Sequence, residues 1–127
     1  MHIMDSLRIE ATSCSPLIDF DPAAGLLRIE GESYPENSFD FYAPVFNWLE
    51  DYLKTPAPAV VLDIGLSYLN TSSIKCMIDV LEMLDGAHQQ GQTVSVRWHY
   101  DSDNDRALDM AEEFAEDVSL PFEILAH

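Results

Sequence analysis

The stretch Ala59-Val60-Val61-Leu62-Asp63-Ile64-Gly65-Leu66 runs straight into Ser67-Tyr68-Leu69-Asn70-Thr71-Ser72-Ser73-Ile74, and the change of pattern between them decides the fold. The first eight residues are mostly apolar, as in a central strand covered on both faces. From Ser72 onward, Ile74, Met77, Ile78, Leu81, Leu84 and His88 fall on one helical stripe that ends near Gly91. A strand feeding a long amphipathic helix is the building unit of an α/β protein.

Three consecutive hydroxyl side chains, Thr71, Ser72 and Ser73, occupy the junction. The first N–H groups of a helix have no intrahelical partner, and the aligned peptide dipoles leave partial positive charge there. An anion is held well at such an end, which makes Thr71 a candidate phosphoacceptor, with Ser72 and Ser73 sharing the same location. A plainer role for Asn70 or Thr71 is to cap the helix, as Asn and Thr do routinely.

Toward the C-terminus, Thr93-Val94-Ser95-Val96-Arg97-Trp98 alternates as a strand, and Leu108, Ala111, Phe114 and Ala115 give helical spacing from Asn104 to Val118. Phe122-Glu123-Ile124-Leu125 closes the chain as a short strand. Toward the N-terminus, Tyr42, Val45, Phe46, Leu49 and Leu53 mark another amphipathic helix. Pro44 lacks an N–H and crowds the preceding turn, so regular helix is expected to begin near Asp40 to Tyr42, with Tyr34-Pro35-Glu36-Asn37 as a loop and Thr55-Pro56-Ala57-Pro58 as the break. Before it, Leu7–Ala11, Leu17–Asp21 and Leu26–Glu30 alternate around turn residues, with Gly31 ending the third. The order β-β-β-α-β-α-β-α-β predicts one α/β domain over residues 1–127, with a mixed sheet, an N-terminal antiparallel meander and three main helices.

Composition narrows the function. With 23 acidic residues against 6 basic, the formal charge of −17 repels nucleic-acid phosphates and anionic membranes, so neither is an expected partner. A partner should offer a basic or apolar face. No stretch approaches the ~18 apolar residues of a membrane span, and Met1-His2-Ile3-Met4-Asp5 lacks a basic secretory start, so a cytoplasmic protein is expected. Cys14 and Cys76 have no metal-ligand spacing and are read as reduced packing residues.

Two constellations offer other functions. Asp101, Asp103, Asp105 and Glu112 occupy positions one, three, five and twelve of a calcium loop, with Leu108 at the apolar eighth, but Arg106 stands where the loop needs glycine. Asp103 or Asn104 capping the last helix explains the same residues. His99, within Trp98-His99-Tyr100-Asp101, suggests a small acidic hydrolase or isomerase using His99 with Asp101 or Asp103. Against an enzyme, there is no G-x-S-x-G elbow, Gly-rich phosphate loop, H-E-x-x-H or catalytic cysteine arrangement, and no cofactor or metal is expected. Tyr34, Phe39, Phe41, Tyr42, Phe46, Trp48 and Tyr52 make the middle of the chain aromatic; most belong in the core, and Tyr34 in its loop is the one placed to anchor a protein partner.

The blocks Gly31-Glu32-Ser33-Tyr34-Pro35-Glu36-Asn37-Ser38, Tyr68-Leu69-Asn70-Thr71-Ser72-Ser73-Ile74 and Arg97-Trp98-His99-Tyr100-Asp101, in that order and spacing, with the closing Pro121-Phe122, resemble the SiaC family of bacterial regulatory phosphoproteins over nearly the whole chain. That family in turn resembles anti-sigma-factor antagonists of the STAS type. The resemblance implies a non-enzymatic partner-switching adaptor in cyclic-di-GMP signalling. A cognate protein kinase would phosphorylate it, a PP2C-type phosphatase would restore it, and the bare form would bind and activate a diguanylate cyclase. It places the phosphoacceptor at Thr71 and draws attention to Tyr34, Glu36, Asn37, Asn70 and Ser72 as flanking contacts. Pro44 departs from the family pattern.

Overall fold

The computed structural model describes residues 4–55 and 59–127, which form a single six-stranded sheet with three helices. The strands are β1 (Leu7–Ile9), β2 (Leu17–Asp21), β3 (Leu26–Ser33), β4 (Val60–Leu69), β5 (Val94–Tyr100) and β6 (Phe122–Ala126). The helices are α1 (Ser38–Tyr52), α2 (Thr71–Gln89) and α3 (Asp105–Glu116). Strand order across the sheet follows chain order. The first three strands pair antiparallel, and β3 to β6 pair parallel, each parallel step crossing through one helix. The meander, the mixed sheet and the α/β class read from the sequence are all present.

Because β3 to β6 are added in one direction, right-handed crossovers carry every helix to the same side of the sheet. That side is the core. Ile18 and Phe20 of β2, Leu27 and Ile29 of β3, Leu62, Ile64 and Leu66 of β4, and Val96 and Trp98 of β5 are essentially without solvent contact. Each contributes roughly 1.5–3 kcal/mol of burial free energy. Trp48 of α1 packs on Phe20 with ring centres 5.2 Å apart, and Phe114 of α3 stacks on Trp98 at 5.3 Å. The other side of the sheet is open. β4 therefore alternates rather than being covered on both faces: Val61, Asp63 and Gly65 are half-buried and Ser67 is exposed. The apolar run reflected a central position in the sheet, and the Asp63 and Gly65 interruptions were the marks of its uncovered face.

Three boundaries differ from the sequence reading. β3 does not stop at Gly31 but passes through a bulge at Gly31/Glu32 and continues to Ser33. Gly31 has φ +121°, open to glycine and strained for other residues, and this lets the strand bend past Pro16. α1 starts at Ser38, earlier than Pro44 suggested, because the Asn37 side chain accepts from the Asp40 N–H at 3.1 Å and closes the first turn. Pro44 sits inside the helix on its exposed face, where it removes one bond of the helix ladder. α2 begins at Thr71 rather than Ser72. The break expected at Thr55-Pro56-Ala57-Pro58 lies mostly outside the described residues, as does His2. Cys76 packs in the core as expected, whereas Cys14 is only half-buried, beside Thr12. Among the described residues, no helix is long and apolar enough to cross a membrane.

Candidate functional site

The C-terminal ends of β3 and β4 lead into the starts of α1 and α2, so both helix N-termini open at one edge of the core. Asn70 joins them. Its backbone N–H donates to the Ser33 carbonyl at 2.9 Å, fixing the turn to the end of β3, and its side-chain oxygen accepts from the Ser73 N–H at 2.9 Å. That second bond is an N-cap on α2.

Beneath the turn lies a chain of hydroxyls drawn from three elements, β3, α1 and α2. Ser33 donates to Ser73 at 2.8 Å, which leaves Tyr42 to donate to Ser33 at 2.7 Å. Ser38 contacts Ser73 at 3.1 Å and Ser72 at 2.7 Å, and Ser72 also donates to the Asn70 side-chain Oδ1 at 3.3 Å. Ser33, Ser38 and Ser73 are all at least 98% buried, since their exposures are 0%, 2% and 0%. Burial pushes the Tyr42 phenol up to about 12, against the opposing effect of its bond to Ser33. A buried polar chain with every member partnered is rigid and leaves little room for an added group.

The three candidate hydroxyls therefore separate. Ser73 is sealed in this chain, Ser72 is half-buried and bonded on two sides, and Thr71 is exposed with no hydrogen-bond partner for its hydroxyl among the described residues. Thr71 is also the first residue of α2, a helix whose opening turn carries no acidic residue. The exposed large apolar side chains, Tyr34, Phe39 and Tyr68 at 41%, 49% and 50% exposure, all belong to the segments framing this turn. Tyr34 and Tyr68 meet edge to face, 5.8 Å between centres, and the Tyr34 hydroxyl is held by the Ser13 carbonyl at 2.7 Å. Phe39 follows Ser38 at the start of α1.

Of the flanking residues named from sequence, Tyr34 and Glu36 are exposed, whereas the side chains of Asn37 and Asn70 are occupied as helix caps. Sequence reasoning missed Ser33, Ser38, Phe39 and Tyr68 as parts of the site. Phe39 was legible in principle, because it lies off the stripe of Tyr42, Val45 and Leu49 that α1 buries.

The two rival constellations do not form. Asp105 and Glu112 lie on the continuous helix α3, which cannot coil around an ion as a calcium loop must, and Asn104 caps that helix by accepting from the Ala107 N–H at 3.1 Å. Asp101 accepts from the Asp103 N–H at 2.9 Å within its own turn. His99 pairs with neither acid. Its Nε2 lies 3.1 Å from Asp63 on the neighbouring strand and its Nδ1 lies 2.7 Å from the His127 ring. His99, Tyr100 and Asp101 do line an open depression of about 310 Å³, but both nitrogens of His99 are engaged, leaving none to take a proton from a nucleophile.

Known proteins share this fold. A protein from Pseudomonas aeruginosa strain UCBPP-PA14, without an assigned function, is 49% identical over 124 residues, 98% of each chain. The structure of SiaC of Pseudomonas aeruginosa superposes with a TM-score of 0.92 at 48% identity, covering 98% of this chain and all of that one. A crystal structure of the diguanylate cyclase SiaD in complex with its activator SiaC, from the same organism, contains a chain that matches with a TM-score of 0.92 at 50% identity over 95% of this chain and 99% of that one. A family profile described as SiaC family regulatory phosphoprotein matches residues 9–127, and with the fold and these relatives in agreement, the chain belongs to the SiaC family of regulatory phosphoproteins.

Proposed function

We propose that this protein is a non-catalytic, cytoplasmic phospho-switch whose bare form binds and activates a diguanylate cyclase, and that phosphorylation of Thr71 by a cognate kinase blocks that binding until a PP2C-type phosphatase reverses it. The observation that carries the reading is the separation of the three hydroxyls. Only Thr71 combines exposure with a helix start free of acidic side chains. A phosphate there adds about −1.5 to −2 charges, and the α2 N-terminus accommodates it. Lys75, exposed one turn further along α2, adds a positive charge on the same helical face.

The same group disturbs a partner. Tyr34, Phe39 and Tyr68 make the surroundings of Thr71 partly apolar, the kind of surface that a partner packs against closely. Burying a dianion in that contact without matching donors costs several kcal/mol, and each 1.4 kcal/mol is tenfold in affinity. Binding is lost without refolding. Among the flanking residues, Tyr34 and Glu36 supply contacts, while Asn37, Asn70 and Ser72 hold the two helix starts in position.

The activator role follows the relative seen in complex with the cyclase SiaD. Titrating a diguanylate cyclase with bare protein and with protein phosphorylated by its kinase tests the proposal. Phosphorylation is expected to weaken binding at least tenfold and to abolish cyclase stimulation, and tandem mass spectrometry is expected to locate the phosphate on Thr71. Equal affinities, or a phosphate found on Ser72 or Ser73, would overturn it.

A further inference from the structure

The uncovered face of the sheet carries an ordered row of charges. By strand register, Arg8 lies opposite Asp19, Asp19 opposite Arg28, Arg28 opposite Asp63, Asp63 opposite Arg97, and Arg97 opposite Glu123. One line across all six strands thus reads plus, minus, plus, minus, plus, minus. It contains three of the chain's six basic residues. Part of the row is paired within the chain: Arg8 meets Asp19 at 3.1 Å, Asp63 meets His99 at 3.1 Å, and the Arg28 guanidinium bonds Glu30 while lying near Asp63 and Asp19. Arg97 and Glu123 are exposed and have no ion-pair partner within 4.0 Å among the described residues. Beside the row, half-buried Leu26 and Val61 lie opposite each other at the start of the two middle strands.

An alternating row of even length is complementary to itself when reversed. We propose that this face docks on the same face of a second copy, about a two-fold axis parallel to the strands. That operation lays β1 of one copy over β6 of the other. Arg8 then faces Glu123, Asp19 faces Arg97, and Arg28 faces Asp63, so all six positions meet opposite charge; Leu26 meets Val61. An axis perpendicular to the strands would lay each strand on its own copy and set like charge on like, so the row selects one geometry.

Six strands about 4.8 Å apart, each contributing about five residues, give a face of roughly 450 Å² per copy, or about 900 Å² buried in total, which is the range of a weak, transient dimer. The formal charge of −17 on each copy opposes association further at low salt. Function still gains from the geometry. An axis parallel to the strands keeps both β4 strands pointing the same way, so the two Thr71 turns lie at one end of the dimer. α2 covers the opposite side of the sheet, so neither turn is hidden. A two-fold partner would meet two switch surfaces at once, and the second contact would form at high effective concentration.

Sedimentation equilibrium of the full chain across concentrations up to about 1 mM, at about 0.15 M salt, tests the inference. A monomer–dimer equilibrium is expected. Arg97→Glu and Asp19→Arg are each expected to raise the dimer Kd at least tenfold, and the double variant to return it to within about threefold of the parent. The double variant is decisive. It rearranges the row to three positive then three negative positions, spoiling the alternation within a chain while keeping every contact between reversed copies complementary. A row that serves only the monomer would leave the double variant the worst of the set. Circular dichroism melts of each variant establish that it is folded, and Arg8→Glu with Glu123→Arg supplies a second swap pair. A monomer at every concentration, single variants without effect, or a double variant no better than the singles would overturn the proposal.

Discussion

The starts of α2 and α3 are capped alike but differ in charge, acidic at α3 and free of acids at α2. Each has an asparagine N-cap, Asn70 accepting from Ser73 N–H and Asn104 accepting from Ala107 N–H, and each follows a parallel strand of the same sheet. Around α3, Asp101, Asp103 and Asp105 already supply negative charge to the helix end. α1 likewise has Asp40 in its first turn. α2 has no acid in its first turn, in a chain with 23 acidic residues. The helix end that favours an anion and has not been given one is the end that carries Thr71. The proposed switch differs from an ordinary cap in the negative charge left out, together with the exposed aromatics around it.

Breaking the buried side of the α2 start should have the largest effect. Ser73→Asp forces a carboxylate into a site with 0% exposure among Ser33 and Ser38, and is expected to cost more than about 3 kcal/mol, or to unfold the protein, in chemical denaturation. Two residues away, Thr71→Asp places the same group at the exposed first position of the helix. It should leave stability unchanged or raise it by about 0.3–1 kcal/mol. Similar losses at both positions would mean that the hydroxyls are not divided as described.

Removing the caps sharpens the comparison at an intermediate scale. Asn70→Ala is expected to cost about 1–2 kcal/mol and Asn104→Ala about 0.5–1 kcal/mol by urea denaturation. The gap arises because the second bond of the Asn70 side chain, from Ser72, is part-buried and joins the hydroxyl network, whereas that of Asn104, to the Ser67 carbonyl, is exposed. An equal or reversed pair of losses would show that the network adds nothing to the cap.

Smaller still is Tyr42→Phe, expected to cost about 1 kcal/mol at neutral pH by removing the bond to Ser33. Its pH dependence carries a definite sign. The folded phenol is raised to about 12 from an ordinary value of 10, so its contribution is complete below pH 10 and is lost as pH rises toward 12, where the unfolded chain gives up the proton first. Wild-type stability should therefore fall more steeply than that of Tyr42→Phe between those values. Parallel curves would contradict the burial of this hydroxyl.

Much of this was legible in the residues. Local periodicity marked β2, α2, β5, α3 and β6 to within a few positions, and the Asn70–Ser73 run located the turn from β4 into α2. What stayed hidden depended on contacts distant in sequence. Ser33 and Ser73 are forty positions apart, and nothing local distinguishes a serine that closes a buried chain from one that faces water. The charge row on the open face exists only once strand register is known, since each of its members sits in a different strand. The His99 partner was misassigned for the same reason: the nearby acids Asp101 and Asp103 are neighbours in sequence, while Asp63 is the neighbour in the sheet. Pro44 misled in the other direction, because one lost bond on an exposed helix face is outweighed by the Asn37 cap.

The most direct test of the switch is the affinity of a diguanylate cyclase for Thr71-phosphorylated protein, measured calorimetrically on a sample whose melting temperature is recorded alongside that of the bare form. The account predicts a melting temperature within about 3 °C of the bare protein and an affinity lowered at least tenfold. An unchanged affinity, or a loss of binding accompanied by collapse of the fold, would contradict it.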